Sequence, residues 1–148
     1  MKKFKFTLDR VLSYKQQRLE LLQNERAELL EQVRLAEEHL RALEQRYQQD
    51  QQSYREDSLA GMAITQARLR QSSFRALERD IRTAEGQLET CRARAEAKRL
   101  EVVEAQKETT SIEKLEDKKR TAYRKEEAKS QEAFVEEFVS AVSVAKRA

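Results

Sequence analysis

The sequence contains no proline, no tryptophan, two glycines, one cysteine and one histidine among its 148 residues. With so little proline and glycine, it lacks most of the signals that mark turns, hairpins and sheets. One cysteine cannot form an internal disulfide, which fits a reducing compartment, and one histidine supplies neither a His-pair metal site nor a catalytic triad. Aromatic residues make up 6% of the chain, too few to wall a deep apolar substrate pocket. We therefore predict no enzyme activity, no cofactor and no metal site.

Charged residues make up 39% of the chain, yet the formal net charge is only +3. Such a composition is typical either of long helices and coiled coils or of disordered chains. Only long helices and coiled coils keep a regular spacing of apolar residues, so that spacing distinguishes the two. No apolar run has the length of a signal peptide core or a membrane span. We therefore expect a cytoplasmic protein, with any membrane contact peripheral.

A heptad pattern of apolar residues favours a coiled coil over disorder. Steps of four and three residues from Leu8 to Tyr54 meet an apolar or aromatic residue at eleven of fourteen positions, which is a coiled-coil seam. A second, alanine-richer seam runs from Phe74 to Ile112. Cys91 lies on this second seam, which favours a buried, inert thiol over a redox role. His39 lies on a solvated flank of the first seam. The predicted coiled-coil core comprises Leu8, Leu12, Leu19, Leu22, Leu29, Val33, Leu40, Leu43, Tyr47, Leu88, Val102 and Ile112.

The two seams are separated by the best turn signal in the chain, an Asp-Ser pair followed by Gly61. Thr65 is placed to cap a second helix, with Ile64 and Leu69 as a hydrophobic staple. We predict a single all-α domain over residues 1–148: a helix over about 4–57, a turn over about 58–64, a helix over about 65–140, and a frayed C-terminal tail. A short turn favours an extended antiparallel two-helix coiled-coil hairpin, in which the longer second helix overhangs the N-terminus.

Positive charge is concentrated in two segments. Residues 1–18 hold six basic residues against one acidic residue, and residues 118–129 hold six against two. The hairpin brings both segments toward one end, where they could steer an acidic partner, or could be a chance cluster on a solvated face. No aromatic stacking platform for nucleic acid is visible. Four phenylalanines, Phe4, Phe6, Phe134 and Phe138, lie near the same end. They either form an exposed docking site, or the N-terminal segment packs through them against the C-terminal helix.

Three stretches, in order, resemble one known family. The opening Phe4–Leu12 has the pattern F-x-F-x-L-x-x-V-L, Tyr54–Gly61 resembles a helix-ending tyrosine and glycine, and Lys114–Glu127 resembles a basic C-terminal block, followed by Glu136-Glu137-Phe138. The chain resembles FliJ, the coiled-coil component of the flagellar type III export apparatus. The resemblance covers nearly the whole length.

The resemblance implies a non-enzymatic part in flagellum biogenesis and motility. FliJ-like proteins bind the hexameric export ATPase FliI as a gamma-like central stalk, promote its ring assembly and activity, contact the export gate protein FlhA and escort export chaperones. This implies a peripheral location at the cytoplasmic face of the inner membrane, and a chain that is monomeric alone. By position, the implied ATPase-ring contacts are Lys3, Lys5, Arg10, Arg120, Tyr123, Arg124 and Lys125. The implied gate contacts are Phe74, Leu77 and Ile81, although these also lie on the seam, where core packing is the alternative.

Other functions remain open from the residues alone. The chain could be a stalk of an injectisome or of a rotary ATPase, although the turn leaves no room for the extra domain of an F-type gamma subunit. It could be a parallel coiled-coil dimer that tethers two partners. A basic binder of nucleic acid or lipid surfaces is a third possibility.

Overall fold

The computed structural model describes residues 2–147, and within that range the chain forms two α-helices and no strand. Helix α1 spans Asp9–Ala60 and helix α2 spans Ile64–Arg147. The two long helices pack against each other. The predicted all-α helical hairpin is confirmed.

Helix α1 begins at Asp9, later than the predicted start near residue 4. The Asp9 N–H donates to the Phe6 carbonyl oxygen at 3.2 Å, and the Leu12 N–H donates to the Leu8 carbonyl oxygen at 2.8 Å as the first helical bond. The Asp9 carboxylate lies in the first turn, where it interacts favourably with the helix dipole. Residues 2–8 stay outside the helix.

The turn consists of residues 61–63, because Ser58 to Ala60 remain helical. Gly61 has a φ of 103°, a backbone conformation that side-chain-bearing residues rarely adopt. Helix α2 begins at Ile64, where the Ala67 N–H donates to the Ala63 carbonyl oxygen at 3.0 Å. Thr65 is therefore inside the helix rather than its cap. Ile64 and Leu69 are 74% and 72% exposed, so the predicted staple does not form.

The C-terminal end of α2 continues to Arg147 instead of ending near residue 140. No glycine occurs after Gly86, and the chain has no proline, so nothing in the sequence interrupts the helix. Every described residue from Ala128 onward is exposed.

The structure divides into two compact units. The turn unit is Leu21–Val102, and the terminal unit combines the residues up to Glu20 with those from Val103 onward. That the whole chain is one domain stays a prediction. In the turn unit the buried apolar side chains are Leu22, Leu77, Ala84, Leu88, Ala95 and Val102. In the terminal unit Phe6, Leu12 and the polar Thr109 are buried.

The twelve residues expected in the core all lie at least partly buried. Leu12, Leu22, Leu88 and Val102 are fully buried. The other eight keep a partial exposure, as expected of a two-helix interface, which is open on both sides; these are Leu8, Leu19, Leu29, Val33, Leu40, Leu43, Tyr47 and Ile112. Cys91 is partly buried and His39 is exposed.

Ion pairs between the helices mark their register in each unit. In the terminal unit Lys15 Nζ lies 2.8 Å from Glu108 Oε2, and in the turn unit Lys98 Nζ lies 2.9 Å from Glu25 Oε2. Hydrogen bonds to the carboxylates of Glu25 and Glu101 raise the pKa of Lys98. Both pairs are solvent-accessible, so water screens them and they serve alignment more than stability.

Candidate functional site

The seven residues implied as ring contacts all belong to the terminal unit. Six of them are exposed and only Tyr123 is partly buried. We call this set the basic end; it comprises Lys3, Lys5, Arg10, Arg120, Tyr123, Arg124 and Lys125.

The N-terminal segment, residues 2–8, is attached to α2 by its two phenylalanines. Side chains two residues apart in an extended segment point to the same side, and Phe6 is 8% exposed while Phe4 is partly buried. The ring of Phe4 lies 5.6 Å from that of Tyr123. Lys3 and Lys5 alternate with the two rings and are exposed. The packing of the aromatic rings thus leaves the lysines in solvent.

Cation–π contacts and one hydrogen bond add to this attachment. The guanidinium carbon of Arg120 lies 5.1 Å from the centroid of the Phe4 ring, and Lys119 Nζ lies 6.0 Å from that of Phe6. Such contacts contribute about 0.5–1 kcal/mol at exposed sites. The Tyr123 hydroxyl donates to the Lys2 carbonyl oxygen at 2.5 Å. Residues from the start of the chain and from α2 thereby form one surface.

Within the described part of the chain, most of the positive charge at the basic end has no local counter-ion. Arg120 pairs with Glu116 at 2.9 Å. Among residues 2–147, no ion pair engages Lys3, Lys5, Arg10, Arg124 or Lys125. Five exposed cations therefore remain available to an acidic partner, and such a surface accelerates association and is screened by salt.

The three residues implied as gate contacts lie in the turn unit and are engaged in packing. Leu77 is 6% exposed and Ile81 is partly buried. The Phe74 ring makes edge contacts with Tyr47 at 5.7 Å and Tyr54 at 5.8 Å. The core-packing alternative therefore describes Phe74 and Leu77, and these side chains offer little surface to a partner.

The N-terminal segment lies outside α1, whereas the predicted helix began near residue 4. The run Lys3-Phe4-Lys5-Phe6 alternates polar and apolar residues with a period of two. That period is the signal of an extended segment with one buried side. The heptad pattern also gives no sign of the exposed leucine in the last turn of α1, Leu59, which is 90% exposed.

In the part of the chain that the structure describes, no cluster of three or more His, Cys, Asp or Glu side chains could hold a metal ion. Neither helix, as far as it is described, combines the length and apolar character needed to cross a bilayer.

A family model described as flagellar FliJ protein matches residues 4–147. No curated protein and no solved structure matches the chain.

Proposed function

Because the chain belongs to the flagellar FliJ family, whose members are non-catalytic components of flagellar protein export, we propose that it acts as a stalk for the export ATPase. In this proposal the basic end binds a ring of FliI-like subunits. The observation that carries it is the pairing of Phe4 with Tyr123, because that contact joins basic residues from both segments on one surface.

The charge of the basic end suits a transient protein partner. Its five unpaired cations come from two segments that are remote in sequence. The helices carry Arg10, Arg124 and Lys125, and the packing of Phe4 on α2 holds the segment that carries Lys3 and Lys5. This preorganisation lowers the entropy lost on binding. An acidic lining of the ATPase ring would be the complementary surface.

Stalk binding would favour ring assembly by mass action. One stalk end that touches several ATPase subunits stabilises the assembled ring over free subunits. The ATPase would then hydrolyse ATP faster in its presence.

The same proposal includes contacts with the FlhA-like export gate and with export chaperones, and a peripheral location at the cytoplasmic face of the inner membrane. Phe74, Leu77 and Ile81 are the family-implied gate residues. Because Phe74 and Leu77 pack within the turn unit, a gate contact there would also use exposed residues of the same stretch of α2.

Binding to the purified ATPase tests the proposal. The double variant Arg124→Glu/Lys125→Glu should bind much more weakly than the wild type, and raising the salt concentration should weaken wild-type binding. The matched control is Arg79→Glu/Arg82→Glu, which makes the same charge change at exposed residues of the turn unit. Equal losses in both variants, or no loss in either, would contradict a contact through the basic end.

A further inference from the structure

An apolar face on the C-terminal part of α2 is exposed to solvent. Phe134, Val135, Phe138 and Val139 are 69%, 56%, 62% and 59% exposed, and Val142 is 38% exposed. Exposed apolar patches of this kind mark interaction sites. We call it the C-terminal face; it also includes Ala141 and Ala145, which are exposed.

The face has the regular spacing of a coiled-coil surface. Val135, Phe138, Val142 and Ala145 follow steps of three and four residues, which gives a heptad seam. Phe134 and Ala141 lie along one edge of this seam. Val139 lies along the other edge, between Glu132 and Lys146, each seven residues away. The opposite side of the helix carries Glu136, Ser140, Ser143 and Arg147.

We propose that the C-terminal face pairs with the same face of a second copy of this chain, with the two helices antiparallel. Matching the seams places Phe138 opposite Val142 of the partner copy, and Val135 opposite Ala145 of the partner copy. In this register Glu132 of each copy lies beside Lys146 of the other. The symmetric arrangement therefore forms two opposite-charge pairs at the edge of the apolar contact.

Charge favours this orientation over a parallel one. Parallel pairing of the same seam would place Glu127 of each copy beside Glu132 of the other, two like-charge contacts that oppose association. It would also run the basic stretches Lys118–Lys125 of the two copies side by side. Antiparallel pairing separates those stretches, because the overlap covers only about residues 132–147.

The overlap is also sterically free within the terminal unit. The N-terminal segment packs on α2 around Arg120 and Tyr123, ahead of the overlap. The face itself is exposed along its whole length. Pairing therefore requires no rearrangement of the N-terminal segment. This dimer departs from the expectation of a chain that is monomeric alone, and it does not depend on ATPase binding.

Sedimentation equilibrium over a wide concentration range tests the pairing. The wild type should shift from monomer to dimer as concentration rises, and Phe138→Ser should remain a monomer with an unchanged helical circular dichroism signal. Leu100→Ser is the control, since Leu100 is 56% exposed and lies in the turn unit; it should dimerise like the wild type. A wild type that stays monomeric at every concentration overturns the proposal, as does a Phe138→Ser variant that still dimerises.

A charge exchange tests the register. Glu132→Lys should weaken dimerisation about tenfold, because two attractive contacts become repulsive. Glu136→Lys carries the same charge change on the opposite side of the helix and should have a much smaller effect. Adding Lys146→Glu to Glu132→Lys should restore wild-type dimerisation. Failure of that restoration, or equal weakening by Glu132→Lys and Glu136→Lys, overturns the antiparallel pairing.

Discussion

The Tyr123 hydroxyl donates a 2.5 Å hydrogen bond to the main-chain carbonyl oxygen of Lys2, joining two residues that are 121 positions apart in the sequence. The bond lies next to the contact of Tyr123 with Phe4. Together they hold the N-terminal segment, which lies outside helix α1, against α2. The basic end therefore depends on the attachment of this segment as well as on the charge of α2.

Removing one aromatic ring should release the N-terminal segment. Phe4→Ala loses the contacts with Tyr123 and Arg120, of which the aromatic pair alone contributes about 0.5–1.5 kcal/mol. Amide hydrogen exchange at residues 2–8 should become faster, while exchange in the α1–α2 core stays unchanged. Phe134→Ala is the control, because Phe134 is 69% exposed and should not affect the segment. Unchanged exchange in Phe4→Ala would mean that its ring does not hold the segment.

Two adjacent leucines should differ sharply in their contribution to stability. Leu22 is 4% exposed and Leu21 is 49% exposed. Leu22→Ala should lower the free energy of unfolding by about 2–5 kcal/mol, because it leaves a cavity in the seam. Leu21→Ala should change it by only about 0.5 kcal/mol. Chemical denaturation measures both variants, and similar losses would show that the helices do not pair in this register.

The two glycines should respond to alanine in opposite directions. A Cβ at either position would meet no atom within 4 Å, so steric clash opposes neither substitution. Gly61→Ala should destabilise by about 1–2 kcal/mol, because Gly61 has a left-handed backbone with φ 103°. Gly86 lies inside α2, and Gly86→Ala should stabilise by about 0.5–1 kcal/mol. Thermal melting checks both signs, and a stabilised Gly61→Ala would contradict the turn geometry.

The sequence was informative where the heptad period was regular. It predicted two helices, their hairpin and a turn at Gly61, because a period of 3.5 residues implies helices that pair along one side. It failed at Phe4 and Phe6, since their extended conformation depends on packing against Tyr123 and Arg120 from a remote segment. It also failed at Ile64 and Leu69, because a capping pattern does not reveal that the residue preceding α2 is Ala63, two positions before the predicted cap Thr65.

At the basic end, too, the sequence predicted the segments but not their side-chain contacts. Composition alone identified two basic segments, and the hairpin brought them together in principle. Which cations keep their charge unpaired could not be predicted, because it depends on side-chain partners such as Glu116 for Arg120. The packing of Phe74 against Tyr47 and Tyr54 likewise required the structure.

The central claim is that the basic end activates an export ATPase, and the rate of ATP hydrolysis by the cognate FliI-like enzyme tests it most directly. At a sub-saturating ATPase concentration, the wild-type protein should raise the rate several-fold, with saturation near one chain per hexamer. Arg124→Glu/Lys125→Glu should lose most of this stimulation, whereas Arg79→Glu/Arg82→Glu should retain it. An unchanged rate with active ATPase and well-folded wild-type protein would contradict the stalk function.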